Sequence, residues 1–126
     1  MQRKRVLHCP DGFQTATGAE PDEDLAHVFC EDASGYCLSV SRFPEADDLV
    51  EVMVYDQVAH KTGDVLVELG PDQFRLTLSP QAAAALDGTS EYVVPLSATP
   101  DQLRRLDEAL KVIFDGKHGG RYVRHR

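Results

Sequence analysis

Hydrophobic and polar positions alternate along most of this chain with a period of two, the period of a half-buried strand. The stretch 25–31, LAHVFCE, alternates in this way. So does 36–42, YCLSVSR, with Tyr36, Leu38 and Val40 on one face, and the short DASG between them predicts a hairpin. After the polar FPEADD comes 49–55, LVEVMVY, with Val50, Val52 and Val54 aligned. A polar break follows, and an apolar run resumes at Val65, a pattern expected of two paired strands with a long connection. Residues 65–69 pair in turn with 74–78, because GPDQ puts Pro71 at the second position of a tight turn.

The period then changes. SPQAAAALDG has Ser79 as cap, Pro80 at the first helical position and Gly88 as stop, and predicts a short helix. A strand follows at 91–97, EYVVPLS, where Pro95 argues for an edge position or a late break. In TPDQLRRLDEALKVIFDG, Thr99 and Gln102 form a capping box. Leu103, Leu106, Leu110 and Ile113 recur at helical spacing before Gly116. The expected class is α+β: an antiparallel β-sheet with a C-terminal amphipathic helix packed on one face and one short additional helix. The expected organisation is an N-terminal strand and long loop over 1–24, a single α+β domain over 25–116 and a flexible basic tail over 117–126.

At 126 residues the chain has the size of one domain with a self-sufficient core. Its three cysteines, Cys9, Cys30 and Cys37, are an odd number and read as reduced thiols rather than as a disulfide framework. No apolar run is long enough to span a bilayer, and the first residues lack the apolar stretch of a signal peptide, so the expected location is cytoplasmic, with no membrane partner. Charge is uneven. Arg3, Lys4 and Arg5 open the chain and Lys117, Arg121, Arg124 and Arg126 close it, while the middle holds 21 acidic residues against 6 basic ones. Such a body repels nucleic acid and attracts a basic protein, or it simply keeps the chain soluble.

Several constellations invite chemistry. His27, Cys30 and Cys37, with His8 or Cys9, supply zinc-ligand types, but strand alternation sends His27 and Cys30 to opposite faces. A cysteine nucleophile needs a histidine beside it, and no G-x-S-x-G elbow is present for a serine. The acid pairs Asp47–Asp48 and Asp107–Glu108 read as solvated charge. No catalytic residue, metal site or cofactor is therefore assigned, and the expectation is a non-enzyme. What remains is the segment 42–48 and the break at 56–64, either solvated loops or a surface for another protein. Asp56, Gln57, His60 and Lys61 offer charge-assisted hydrogen bonds, as do Arg42, Glu45, Asp47 and Asp48, while Phe43 and Tyr55 offer apolar anchors.

The ordered series GYCLSVSRF, VEVMVYDQ, VLVELGPDQFRLTLSPQAAAALDG, EYVVPLS and LRRLDEALKVIF resembles the immunity proteins of bacterial polymorphic toxin systems, in the group known as immunity family ten. The likeness spans roughly residues 30–116. It includes the acid–Gln pair Asp56–Gln57, the helix Ala83–Gly88 and the closing helix Leu103–Phe114, with VAHKTG where members often carry a Gly-rich, aromatic loop. The resemblance implies a non-catalytic inhibitor that binds and neutralises a cognate toxin domain, as a monomer or weak dimer. Two other readings stand beside it: a small acidic secretion chaperone, which needs a dimer and an apolar groove, and a small hydrolase or metal-binding protein using Cys and His.

Overall fold

The computed structural model describes residues 3–18, 25–43, 48–115 and 120–125. Among these, ten strands form two five-stranded sheets. One is an antiparallel meander in chain order: β2 (Gln14–Thr17), β3 (Ala26–Glu31), β4 (Cys37–Arg42), β5 (Val50–Tyr55) and β6 (Val58–Thr62). The other is mixed. Its centre is the antiparallel run of β7 (Val65–Leu69), β8 (Gln73–Leu78) and β9 (Glu91–Pro95), and the two ends of the chain add parallel edges, β1 (Lys4–Val6) on β9 and β10 (Arg121–Arg124) on β7. Helix α1 (Pro80–Ala85) links β8 to β9, and α2 (Pro100–Ile113) follows β9. The class is α+β.

Alternation explains the core. Val28, Val40 and Val52 meet across β3, β4 and β5, as do Cys30, Leu38 and Val54. In the mixed sheet Val67, Leu76 and Tyr92 line up in the same way. These inner faces form one apolar cluster, which also takes in Leu7 from the segment after β1. Helix α2 lies against β2 and β3 and contributes Leu106, Ala109, Leu110 and Ile113. Its capping box is formed as the sequence predicts: Thr99 accepts from the Gln102 amide, and Gln102 accepts from the Thr99 amide at 2.8 Å. Helix α1 has Ser79 as cap. Gly88 beyond it, at φ +86°, takes a left-handed conformation that a side chain resists, and the Arg3 guanidinium packs where a Cβ would stand.

Four expectations are corrected. The strands at 49–55 and 65–69 are not partners: β5 pairs with β6 and β7 pairs with β8, in different sheets. The break expected as a connection contains β6, because Val58, His60 and Thr62 alternate inward opposite Val54, Val52 and Val50. The long loop contains β2, and Arg121–Arg124 of the expected tail form β10. Burial there is partial, and Tyr122 donates to Asp107 on α2 at 2.6 Å. Pro95 ends β9, an inner strand, and so is a late break rather than an edge.

Candidate functional site: an aromatic and charged end of the fold

The tightest turn of the meander sits where β5 hands over to β6. Val54 pairs with Val58, which leaves Tyr55, Asp56 and Gln57 to reverse the chain. Tyr55 (φ +59°) and Gln57 (φ +67°) are both in the left-handed region, and they are the described non-glycine residues that adopt it. For a bulky L-residue this conformation costs about 1–2 kcal/mol. It also lays the Tyr55 ring against Tyr36, centroids 5.8 Å apart, while leaving the residue 56% exposed.

Tyr36 belongs to a polar network built from three distant parts of the chain. Its hydroxyl donates to Asp87 Oδ2 and lies 2.9 Å from the Tyr92 hydroxyl, which donates to Asp87 Oδ1 at 3.0 Å. The Thr89 amide also donates to that carboxylate, at 3.1 Å. Arg5 on β1 places its guanidinium carbon 4.0 Å from the centre of the Tyr36 ring, a cation–π contact, and Arg3 donates to the carbonyls of Asp87 and Gly88. A buried tyrosine needs a partner for its hydroxyl, and one aspartate serves two of them.

The protonation states follow from these contacts. Burial alone raises the Asp87 pKa, but the hydrogen bonds from Tyr36, Thr89 and Tyr92 outweigh it and hold the carboxyl below its ordinary value. Burial and the adjacent carboxylate push Tyr36 up to about 12. Burial and the Tyr36 hydroxyl raise Tyr92 further. At neutral pH the network is thus one carboxylate held by two neutral phenols, with exposed Arg5 beside it. It can hold a shape and present charge, aromatic surface and donors. It offers no nucleophile with a neighbouring base.

A second feature is the outer face of the meander. Ser39 and Ser41 on the central strand are small, while His27 and Phe29 on β3 and Glu51 and Met53 on β5 stand higher. The result is a depression of about 410 Å³. Phe29 and Met53 are partly exposed in it, and His27 Nδ1 is buried there without a hydrogen-bond partner among the described residues.

The residues singled out in the sequence do not converge on one loop. Tyr55, Asp56 and Gln57 lie at the turn just described, whereas Phe43, Asp48 and Leu49 lie at the opposite end of the β4–β5 hairpin, where Phe43 and Leu49 are exposed. Glu45 and Asp47 fall outside the described residues. Arg42 is 7% exposed and donates to the Val112 carbonyl of α2 at 2.9 Å, so its guanidinium fastens the helix to the sheet. Lys61 opposes Glu51 on the outer face of the meander, while His60 sits across from Val52 on the inner side of the edge strand. His27 and Cys30 take opposite faces of β3, as alternation predicts. Asp107 pairs with Lys111 at 3.1 Å and Glu108 with Arg104 at 3.2 Å. Among the described residues no group of three or more His, Cys, Asp or Glu side chains comes together to hold a metal ion, and no helix is long and apolar enough to cross a membrane.

Sequence reasoning missed Tyr36, Asp87, Tyr92, Arg3 and Arg5. One signal was present: Tyr92 stands in a strand whose neighbours Val93 and Val94 are aliphatic, and a phenol in such company needs an acceptor from elsewhere. Compared with known protein families, with curated proteins and with solved structures, the chain matches none of them.

Proposed function

We propose that this chain is a protein-binding inhibitor that neutralises a cognate bacterial toxin domain inside the cell, without catalysis, and that it grips its partner with the end of the fold carrying Tyr55. The observation that supports this reading is Tyr55 itself: an exposed aromatic held in a costly backbone conformation against an Arg-capped tyrosine cluster. Strain of this kind persists where the surroundings over-determine it, and functional surfaces are where it collects. Tyrosine and arginine are also the residue types that anchor protein interfaces. That the partner is a toxin comes from the sequence resemblance, not from the geometry. The acidic body adds a steering field for a basic partner.

In this reading Tyr55 is the apolar anchor, Asp56 and Gln57 make polar contacts beside it, and Arg5 contributes a charge from the neighbouring edge. The outer face of the meander extends the surface. The test is growth rescue of a cell producing the toxin domain. The wild-type chain restores growth. Tyr55→Ala, with the fold confirmed by circular dichroism, weakens rescue and lowers affinity by at least tenfold. Full rescue by Tyr55→Ala together with Asp56→Lys would place the interface elsewhere.

A further inference from the structure

The outer face of the meander is hollow at its centre because of what the register brings side by side. Two cross-strand rows run over β3, β4 and β5: Phe29, Ser39 and Met53, then His27, Ser41 and Glu51. Each row puts a short serine between longer side chains, and the result is the depression of about 410 Å³. Phe29 and Met53 are its apolar walls. Ser39 and Ser41, each 8% exposed, carry hydroxyls that no other described residue bonds. His27 Nδ1 is buried without a partner among the described residues. Glu51 is half-buried and faces Lys61 across the β5–β6 ladder, yet among the described residues its carboxylate makes no ion pair. Buried polar groups in folded proteins normally find partners, and those of this hollow share one need. A carboxylate only accepts, and hydroxyls and an imidazole nitrogen can accept, so the missing partner is a donor.

We infer that this hollow is a socket for an arginine side chain of a partner protein. The partner is the one proposed above, so the socket rests on that reading for its guest's identity. Chemistry selects the guest. An anion is repelled by Glu51 and by the acidic body of the chain. A purely apolar group would fill the hollow but leave Glu51 covered without a partner, at a cost. A guanidinium meets both sides of the site. Its flat face stacks on an aromatic ring such as Phe29, its methylene stem covers Met53, and its forked donors reach carboxylate and hydroxyl acceptors. The ammonium of lysine is a more strongly hydrated point charge without that planar fork. The socket is also continuous with the Tyr55 turn, because the next row of the same face is Glu31, Cys37 and Tyr55. Tyr55 stands four positions from Glu51 on β5, about 13 Å at the rise of a strand, so one partner surface of standard size covers both.

The experiment titrates the isotope-labelled full-length chain at low salt with N-acetyl-arginine methylamide and follows the backbone amides by NMR. The citrulline analogue, of the same shape but without charge, is the control. The expected result is a saturable shift, in the millimolar range, confined to β3, β4 and β5 around Ser39 and Ser41 and absent with citrulline. Glu51→Gln should weaken it about fivefold. Ser39→Val with Ser41→Val, a change that strands tolerate, raises the floor and should abolish it. Glu108→Gln, an acid on α2 outside the hollow, should leave it intact. Equal shifts with citrulline, shifts scattered over the acidic surface, a response indifferent to Glu51→Gln, or no saturation would each overturn the socket. Because the probe is a small molecule, the socket and the toxin reading fail separately. Saturable binding by a chain that rescues no growth would keep the socket and remove the toxin, and rescue by a chain that ignores the probe would do the reverse.

Discussion

At the scale of single residues the structure rests on polar groups that share partners. Asp87 accepts from two phenols and one amide, and two sheets meet around it. Replacing it with alanine leaves Tyr36 and Tyr92 with only each other, so Asp87→Ala should cost about 2–3 kcal/mol in urea unfolding. The pH dependence follows from Tyr36, whose folded pKa of about 12 lies above the unfolded value of about 10. The folded state holds that proton more tightly. Its contribution is full below pH 10 and is lost as pH rises from 10 to 12. A Tyr36→Phe variant should lose less stability than wild type over that interval, measured by unfolding at each pH. At the neighbouring turn, Gln57→Gly relieves a left-handed backbone at the expense of chain entropy. The net effect should be a stabilisation of about 0.5 kcal/mol.

At the scale of elements, those with strong signals of their own are the ones the sequence revealed. The DASG hairpin, the turn after Gly70 and helix α2 each carry local punctuation, and the strands beside them alternate cleanly. The elements that escaped are β2, β6 and β10, and each lies at a sheet edge. An edge strand pairs on one side only and can be half polar, so its reason to be extended lies in its neighbour rather than in its own residues. QTAT and VAHKT therefore look like loops until β3 and β5 are beside them. The Tyr36–Asp87–Tyr92 network escaped for a related reason: 51 positions separate Tyr36 from Asp87 and no local pattern joins them. The edge at β10 is testable. Tyr122→Phe removes the hydrogen bond to Asp107 and should cost about 1–2 kcal/mol. A chain ending at Asp115 should unfold at lower urea than the full chain.

For the whole molecule, the basic ends and the acidic middle are parts of one design. The ends supply the parallel edges of the mixed sheet, and the charge of Arg5 at one edge acts on Asp32 while that of Arg124 at the other acts on Asp107. The remaining field is negative and favours a basic partner at low salt. In the reading proposed above, Tyr55 is the anchor for that partner, and Tyr36, Asp87 and Tyr92 hold the ground beneath it. The most direct test of this account is affinity capture from the lysate of the organism that makes the chain, run in parallel with the wild-type chain and a folded Tyr55→Ala, Asp56→Lys variant. The account predicts that the wild type retains a secreted toxin or its C-terminal fragment in stoichiometric amount and that the variant loses it. Equal retention by both chains would contradict the site, and retention of an intact effector through an unfolded N-terminal segment would contradict the function.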